Sequence, residues 1–190
     1  MGAIKHTDGV DTQSKLPRIT IITPTYNQGY FIEETILSVL SQNYPNLEYI
    51  IIDGGSTDET VAIVKKYEEH LSYWVSEKDS GQSNAINKGL QVATGSIINW
   101  LNSDDILLPD CLKTVAAYFI NNPEVSLVHG NFKYFSNKDE LATPFFKANK
   151  LQYYSHICFA QPATFFQKRL LKCLGQLMKV SIFQWIGIYM

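Results

Sequence analysis

Two patterns alternate along the first 120 or so residues. Short, nearly continuous apolar and β-branched runs recur at Arg18–Thr23, Leu47–Ile52, Leu71–Val75 and Ser96–Leu101. Between them, apolar residues return every three or four positions. Phe31, Ile32, Thr35, Ile36, Val39 and Leu40 form one such series. Val61, Ile63, Val64 and Tyr67 form a second, Ala85, Ile86, Leu90 and Val92 a third, and Pro109 to Ile120 a fourth. Continuous apolar runs suit strands buried on both faces, as in a parallel sheet. The wider spacing predicts helices with one apolar stripe. Strand and helix in alternation indicate βαβ units with right-handed crossovers: an α/β fold with a mostly parallel central sheet flanked by helices.

Boundary signals agree with this division. Glu33 and Glu34 fall in the first turn of the first helix, and Asn43-Tyr44-Pro45-Asn46 stops it. Ser56 or Thr57 is expected to cap the second helix and Ser80 the third. Gly95 is expected to end the third helix, and Pro109 to open the fourth. Val125–His129 reads as a further strand, and Phe132–Phe135 with Glu140–Thr143 as a smaller hairpin region. The polar stretch 1–16 is expected to be a flexible tail. No internal repeat or low-complexity tract appears.

Composition narrows the class. At 190 residues and 45% hydrophobic, the chain suits one domain with a real core. A net charge of −2 argues against nucleic acid as a partner. No apolar run reaches the roughly 18–20 residues that span a bilayer, and the N-terminus lacks an apolar signal core. The expected location is the cytoplasm, compatible with a peripheral place at the inner face of the membrane. Cys111, Cys158 and Cys173 are widely spaced in apolar settings. They read as buried free thiols in a reducing compartment rather than a disulfide or zinc site.

The chemistry gathers where the strands end. The fourth run passes through Asn99-Trp100-Leu101-Asn102 and Ser103 into two adjacent acids, Asp104 and Asp105. Paired carboxylates on a short turn suit a hard divalent cation, Mn²⁺ or Mg²⁺, which shares its oxygen ligands with substrate phosphates. A capped turn before a helix is the other reading. The first strand end brings Thr23, Pro24, Tyr26 and Asn27, the second Asp53, and the third Asp79 and Gln82. In open α/β sheets that edge binds ligands. A nucleoside needs a shaped wall and a carboxylate for its ribose, and a diphosphate needs a cation. Tyr26 as a rim aromatic and Asp53 as a brace for Gly54-Gly55 are the alternatives. Asp53-Gly54-Gly55-Ser56 is not G-x-G-x-x-G, so a dinucleotide fingerprint is absent.

These segments carry a resemblance. They are Pro24-Thr25-Tyr26-Asn27, Ser38-Val39-Leu40-Ser41-Gln42, Asp53-Gly54-Gly55-Ser56-Thr57-Asp58, Ser76-Glu77-Lys78-Asp79-Ser80-Gly81-Gln82 and Trp100-Leu101-Asn102-Ser103-Asp104-Asp105. In this order, from about Arg18 to Gly175, the chain resembles a family 2 glycosyltransferase. The resemblance implies a GT-A fold, a nucleotide-sugar-binding α/β half joined to a smaller acceptor-side region. It implies inverting transfer of a sugar from a UDP- or GDP-sugar to a hydroxyl of a saccharide or lipid-linked acceptor, in cell-surface polysaccharide or glycolipid synthesis. By similarity, Thr23, Pro24, Tyr26 and Asp53 line the nucleoside pocket, and Asp79 lies near base and ribose. Asp104 and Asp105 match the end of the family's D-x-D metal motif, with Asp104 also at the donor nucleotide. Asn102 departs from it, since many relatives carry the first Asp there. Gln161 and Pro162 match the acceptor side. His156 reads as a core or surface residue, and Tyr153, Tyr154, Phe165 and Phe166 as core aromatics before acceptor platforms. A nucleotidyltransferase is disfavoured because no Gly-rich basic loop appears near the N-terminus.

In this family the general base lies on an acidic segment beyond the Gln-Pro region, yet no Asp or Glu follows Glu140 here. The likeness stops at Leu177, and 178–190 is apolar. Back-translated with permitted codons and read one base back, that tail becomes Asn-Glu-Ser-Leu-His-Phe-Ser-Met-Asp-Trp-Asp-Leu-Tyr, an acidic segment of the family's type. The expectation is a frameshift after Leu177: residues 17–177 form an incomplete transferase domain, 178–190 an aberrant tail, and the base is missing. A non-catalytic nucleotide-sugar-binding remnant is the alternative.

Overall fold

A computed structural model describes residues 16–136, 139–141 and 161–170. The expectations for the N-terminal tail, Tyr153, Tyr154, His156, Cys158, Cys173 and the segment after 170 lie outside the described residues. In chain order the elements are β1 (Ile19–Thr25), α1 (Ile32–Leu40), β2 (Leu47–Asp53), α2 (Thr60–Lys66), β3 (Tyr73–Ser76), α3 (Gln82–Val92), β4 (Ile97–Trp100) and α4 (Cys111–Asn121). They continue with β5 (Leu127–His129), the hairpin β6 (Tyr134–Ser136) and β7 (Asp139–Leu141), a 3-10 turn at Gln161–Ala163, and β8 (Thr164–Gln167).

The main sheet has the order β3-β2-β1-β4-β8-β5. Its first four strands are parallel, as the alternating pattern predicts. β8 is antiparallel to both β4 and β5 and sits between them. Every residue of β1 is buried. Ile19, Ile21, Tyr49, Ile51 and Ile97 pack on one face with the apolar stripes of α1, α2 and α4. Ile22, Ile50, Ile52 and Ile98 pack on the other with Ala85 and Leu90 of α3. The two-residue period of the strands therefore divides one core into two layers. Gly89 lets α3 approach, because a Cβ there would lie 2.4 Å from Ile22 Cγ2. Phe165 and Phe166 of β8 are buried, one in each layer, which agrees with core packing. Burial pushes the half-buried Cys111 thiol up to about 11, so it stays protonated.

Several boundaries differ from the sequence reading. Ser56 and Thr57 do not cap α2; the Asp58 carboxylate accepts from Thr60 N at 3.0 Å instead. α3 starts from Gly81 at φ 106 with no side-chain cap, so Ser80 is not its cap. Asp110, at φ 60, delays α4 to Cys111, two residues beyond Pro109. α3 has already ended when Gly95 is reached. Gly95 serves a close approach, since a Cβ there would lie 2.4 Å from Thr20 Oγ1.

β2 carries a buried carboxylate near each end, Glu48 and Asp53. Glu48 accepts from Thr20 Oγ1 at 2.5 Å, Thr94 N at 2.7 Å, Thr94 Oγ1 at 2.6 Å and Gly95 N at 3.1 Å, with Arg18 at 3.2 Å. It thereby ties β1, β2 and the entry to β4 together. Burial alone would raise its pKa, but the hydrogen bonds from Thr20, Thr94 and Gly95 outweigh that and hold it below its ordinary 4.5. Asp53 accepts from Gly55 N at 3.1 Å, Ser56 N at 2.9 Å and Ser76 Oγ at 2.5 Å, and from the Ser56 hydroxyl. It joins the end of β2 to the end of β3.

Two predictions follow from these carboxylates. With a folded pKa below the unfolded one, Glu48 stabilises the fold above about pH 4.5, and that stability is lost as pH falls further. Urea unfolding from pH 6 to pH 3 should therefore show a flatter pH dependence in Glu48→Gln than in the parent; equal slopes would refute the assignment. Asp53→Ala should lower the unfolding free energy by about 2–3 kcal/mol, the scale for hydrogen bonds to a buried charged group. A denaturation midpoint unchanged from the parent would count against the bracing role.

Candidate functional site

The parallel strands end at a common edge. In register, Thr25 stands beside Asp53 and Asp53 beside Ser76, while Ile22 stands beside Trp100. A cleft of about 550 Å³ opens over this edge, within the usual range for a small-molecule site. Pro24, Thr25, Tyr26 and Gln28 form one wall, and Gly54 and Gly55 the floor beside them. Lys78, Asp79, Gly81 and Gln82 form the second wall, and Asn102, Ser103 and Asp104 the third.

Of the residues singled out by sequence, the cleft brings together Pro24, Tyr26, Asp79, Gln82 and Asp104. Tyr26 is 60% exposed and sits at the rim. Thr23 and Asp53 do not line it. Thr23 is fully buried with its hydroxyl 3.2 Å from Tyr49 Oη, because the strand's alternation turns it into the layer that holds Ile21 and Tyr49. Asp53 points into the Gly55-Ser56 turn and shapes the floor from behind, so the bracing alternative describes its side chain. Gln161 and Pro162 dock on β4. Asn99 Nδ2 donates to the Pro162 and Thr164 carbonyls at 3.2 and 2.8 Å, and Gln161 Nε2 donates to the Trp100 carbonyl. Both lie outside the residues lining this cleft.

The two adjacent acids separate. Asp104 is exposed into the cleft, while Asp105 is half-buried and not part of its lining. Burial first, and the neighbouring Asp104 charge second, push Asp105 up to about 6, against a hydrogen bond from Asn102. Asn102 also accepts from Gln82 Nε2 at 2.7 Å. Its amide oxygen therefore ties the acidic turn to the start of α3. A third carboxylate at position 102 would lose the donor and add repulsion.

Sequence reasoning missed what holds this turn. A polar row on α1 and its C-terminal turn, spaced three and four apart, grips it. Thr35 Oγ1 donates to the Ser103 and Asp105 carbonyls, both at 2.9 Å. Ser38 Oγ accepts from Leu107 N at 3.1 Å. Gln42 donates to the Leu108 carbonyl at 3.0 Å and accepts from Leu112 N at 3.2 Å. The signal was a polar stripe inside an otherwise buried helix face. The first wall is clasped likewise: Asn27, at φ 52, donates its N–H to Ser56 Oγ and accepts from Thr57 N, and Gly29 N donates to Asp58. Gly54 and Gly55 were read as a turn. Their lack of side chains also admits the second wall, since a Cβ on Gly54 would lie 3.2 Å from the Asp79 carboxylate oxygens.

Among the described residues, no cluster of three or more His, Cys, Asp or Glu could hold a metal by itself. One exposed carboxylate, Asp104, still suits Mn²⁺ or Mg²⁺ where substrate phosphates and water complete the shell. No helix among the described residues is long and apolar enough to cross a membrane.

Known proteins resemble this chain in sequence and in fold. A putative teichuronic acid biosynthesis glycosyltransferase from Bacillus subtilis is 43% identical over 94 residues, covering 47% of this chain and 36% of that protein. The structure of S. aureus TarS 1-349 in complex with UDP superposes with a TM-score of 0.68 at 25% identity, covering 83% of this chain and 49% of that one. A mannosyltransferase from Pyrobaculum calidifontis, in complex with GDP-Man and Mn²⁺, gives a TM-score of 0.62 at 25% identity and covers 90% of this chain and 50% of that one. These neighbours are GT-A glycosyltransferases, and the fold expected from the sequence is the fold observed. The chain spans half or less of the length of the curated relatives it matches. The glycosyl transferase family 2 model matches residues 20–175, most of the sheet and both acidic walls of the cleft included, and the chain belongs to that family.

Proposed function

We propose that the cleft binds the nucleoside diphosphate part of a UDP- or GDP-sugar, for inverting sugar transfer to a saccharide or lipid-linked hydroxyl in cell-surface polysaccharide synthesis. The observation that carries the reading is the placement of Asp79 and Asp104 on separate walls of one cleft at the C-terminal edge of the sheet. Tyr26 supplies an aromatic wall for a base, and Asp79 a carboxylate acceptor for ribose or base donors. The UDP and GDP-Man complexes of the structural neighbours support the donor class, and the Mn²⁺ of the second supports a cation at Asp104. When bound, that cation neutralises the charge that builds on the leaving diphosphate. Asn102 and Thr35 hold the acidic turn in place for it. Gln161 and Pro162, docked on β4, would stand on the acceptor side. A cytoplasmic site of action, where nucleotide-sugars are made, goes with this reading.

Inversion needs a base opposite the leaving group, and the acceptor hydroxyl must give up its proton as its oxygen attacks the anomeric carbon.

Calorimetry with UDP and GDP should show tighter binding of one of them with Mn²⁺ than with EDTA. Asp104→Ala should abolish that difference. Equal affinity under both conditions would end the cation assignment.

A further inference from the structure

The charges on the cleft walls do not by themselves suit the ligand proposed for it. Asp79 and Asp104 both repel a diphosphate unless a cation intervenes. Position 102, two residues before Asp104, is an uncharged amide engaged with Gln82. The acidic turn thus presents one exposed carboxylate and should hold a divalent cation less firmly than a turn with two.

One cationic side chain lines the cleft among the described residues, Lys78. Its position is built. Gly55, at φ 85, has no side chain, and a Cβ there would lie 3.2 Å from Lys78 N and 3.3 Å from Lys78 Cγ. The backbone and the start of the lysine stem therefore rest directly on the floor of the cleft. Its sequence neighbours are engaged elsewhere: Glu77 pairs with Lys88 at 2.8 Å, and Asp79 accepts from Gly81 N at 2.8 Å. Among the described residues Lys78 forms no ion pair. An ammonium without a carboxylate partner, on a residue that lines the same cleft as Asp104, is available to an anionic ligand.

We propose that Lys78 binds the diphosphate of the nucleotide-sugar and carries part of the charge neutralisation otherwise left to the cation at Asp104. This rests on the nucleotide reading of the cleft. It makes Lys78 a donor-binding residue and leaves donor binding partly independent of metal.

Calorimetry on the full chain with UMP, UDP, GMP and GDP, in EDTA and in Mn²⁺, tests it. The variants are Lys78→Met, which keeps the stem, and Lys78→Arg, which keeps the charge. In EDTA, Lys78→Met should weaken binding of the preferred diphosphate about tenfold, the scale of one charge-assisted contact. It should weaken the matching monophosphate by less, so that the ratio of the two affinities falls, and Lys78→Arg should restore most of the loss. An equal loss for monophosphate and diphosphate, or no loss for either, overturns the inference while leaving the nucleotide site intact. A parent chain that binds none of the four overturns the nucleotide reading, and the inference with it. Lys78 is exposed, so an unchanged melting temperature in both variants separates lost contact from lost fold.

Discussion

β1 lies in the middle of four parallel strands with no exposed residue, and the position of the cleft depends on that constraint. Parallel neighbours joined by right-handed crossovers must all finish at the same edge. The loops that leave them are then forced together, whatever their sequence. Burial of Ile19, Ile21 and Ile22 on both faces fixes the register, because a slip of one residue would turn Thr20 and Thr23 into the opposite layers. The register aligns Thr25, Asp53 and Ser76 and leaves β4 shorter, so the Leu101–Asp104 turn falls beside the loop after β1.

Once the loops are gathered, short polar contacts decide which side chains face the ligand. Asp53 and Thr23 are drawn inward by neighbours that satisfy them, the first by a turn and a serine, the second by Tyr49. Asp104 faces outward because Thr35 holds the carbonyls on either side of it, at Ser103 and Asp105. The rigid helix α1 thus aims the acidic turn, which is the arrangement a site needs when its ligand must be held within fractions of an ångström. Asn102 belongs to the same network: its amide oxygen accepts from Gln82 and adds no further negative charge beside Asp104 and Asp105.

The sheet was legible because strands buried on both faces write continuous apolar runs, and helices packed on one side write a stripe. β1, β2 and α1 came within two residues of their observed ends for that reason. β8 was not legible: four residues, Thr164–Gln167, become a strand through pairing with β4 and β5, far away in sequence. The caps failed through competition, since Ser56 turns to Asp53 and Asn27 rather than to the helix it precedes. Within the site, Asp79, Asp104 and Tyr26 could be read from strand-end position. Lys78 could not, because an exposed lysine looks the same in sequence whether or not it lines a cleft. Asp53 had two readings, and its hydrogen bonds to Gly55, Ser56 and Ser76 are those of the brace.

The central claim is that a nucleoside diphosphate binds where these four strand ends meet. Amide hydrogen exchange on the full chain, with and without UDP or GDP and Mn²⁺, measures this directly. The account predicts added protection within 24–29, 54–56, 78–85 and 101–105, and none within α4 (Cys111–Asn121), which contributes no residue to the cleft. Protection confined to β5 and β8, or ligand binding that leaves the Asn102–Asp105 turn unprotected, would contradict it.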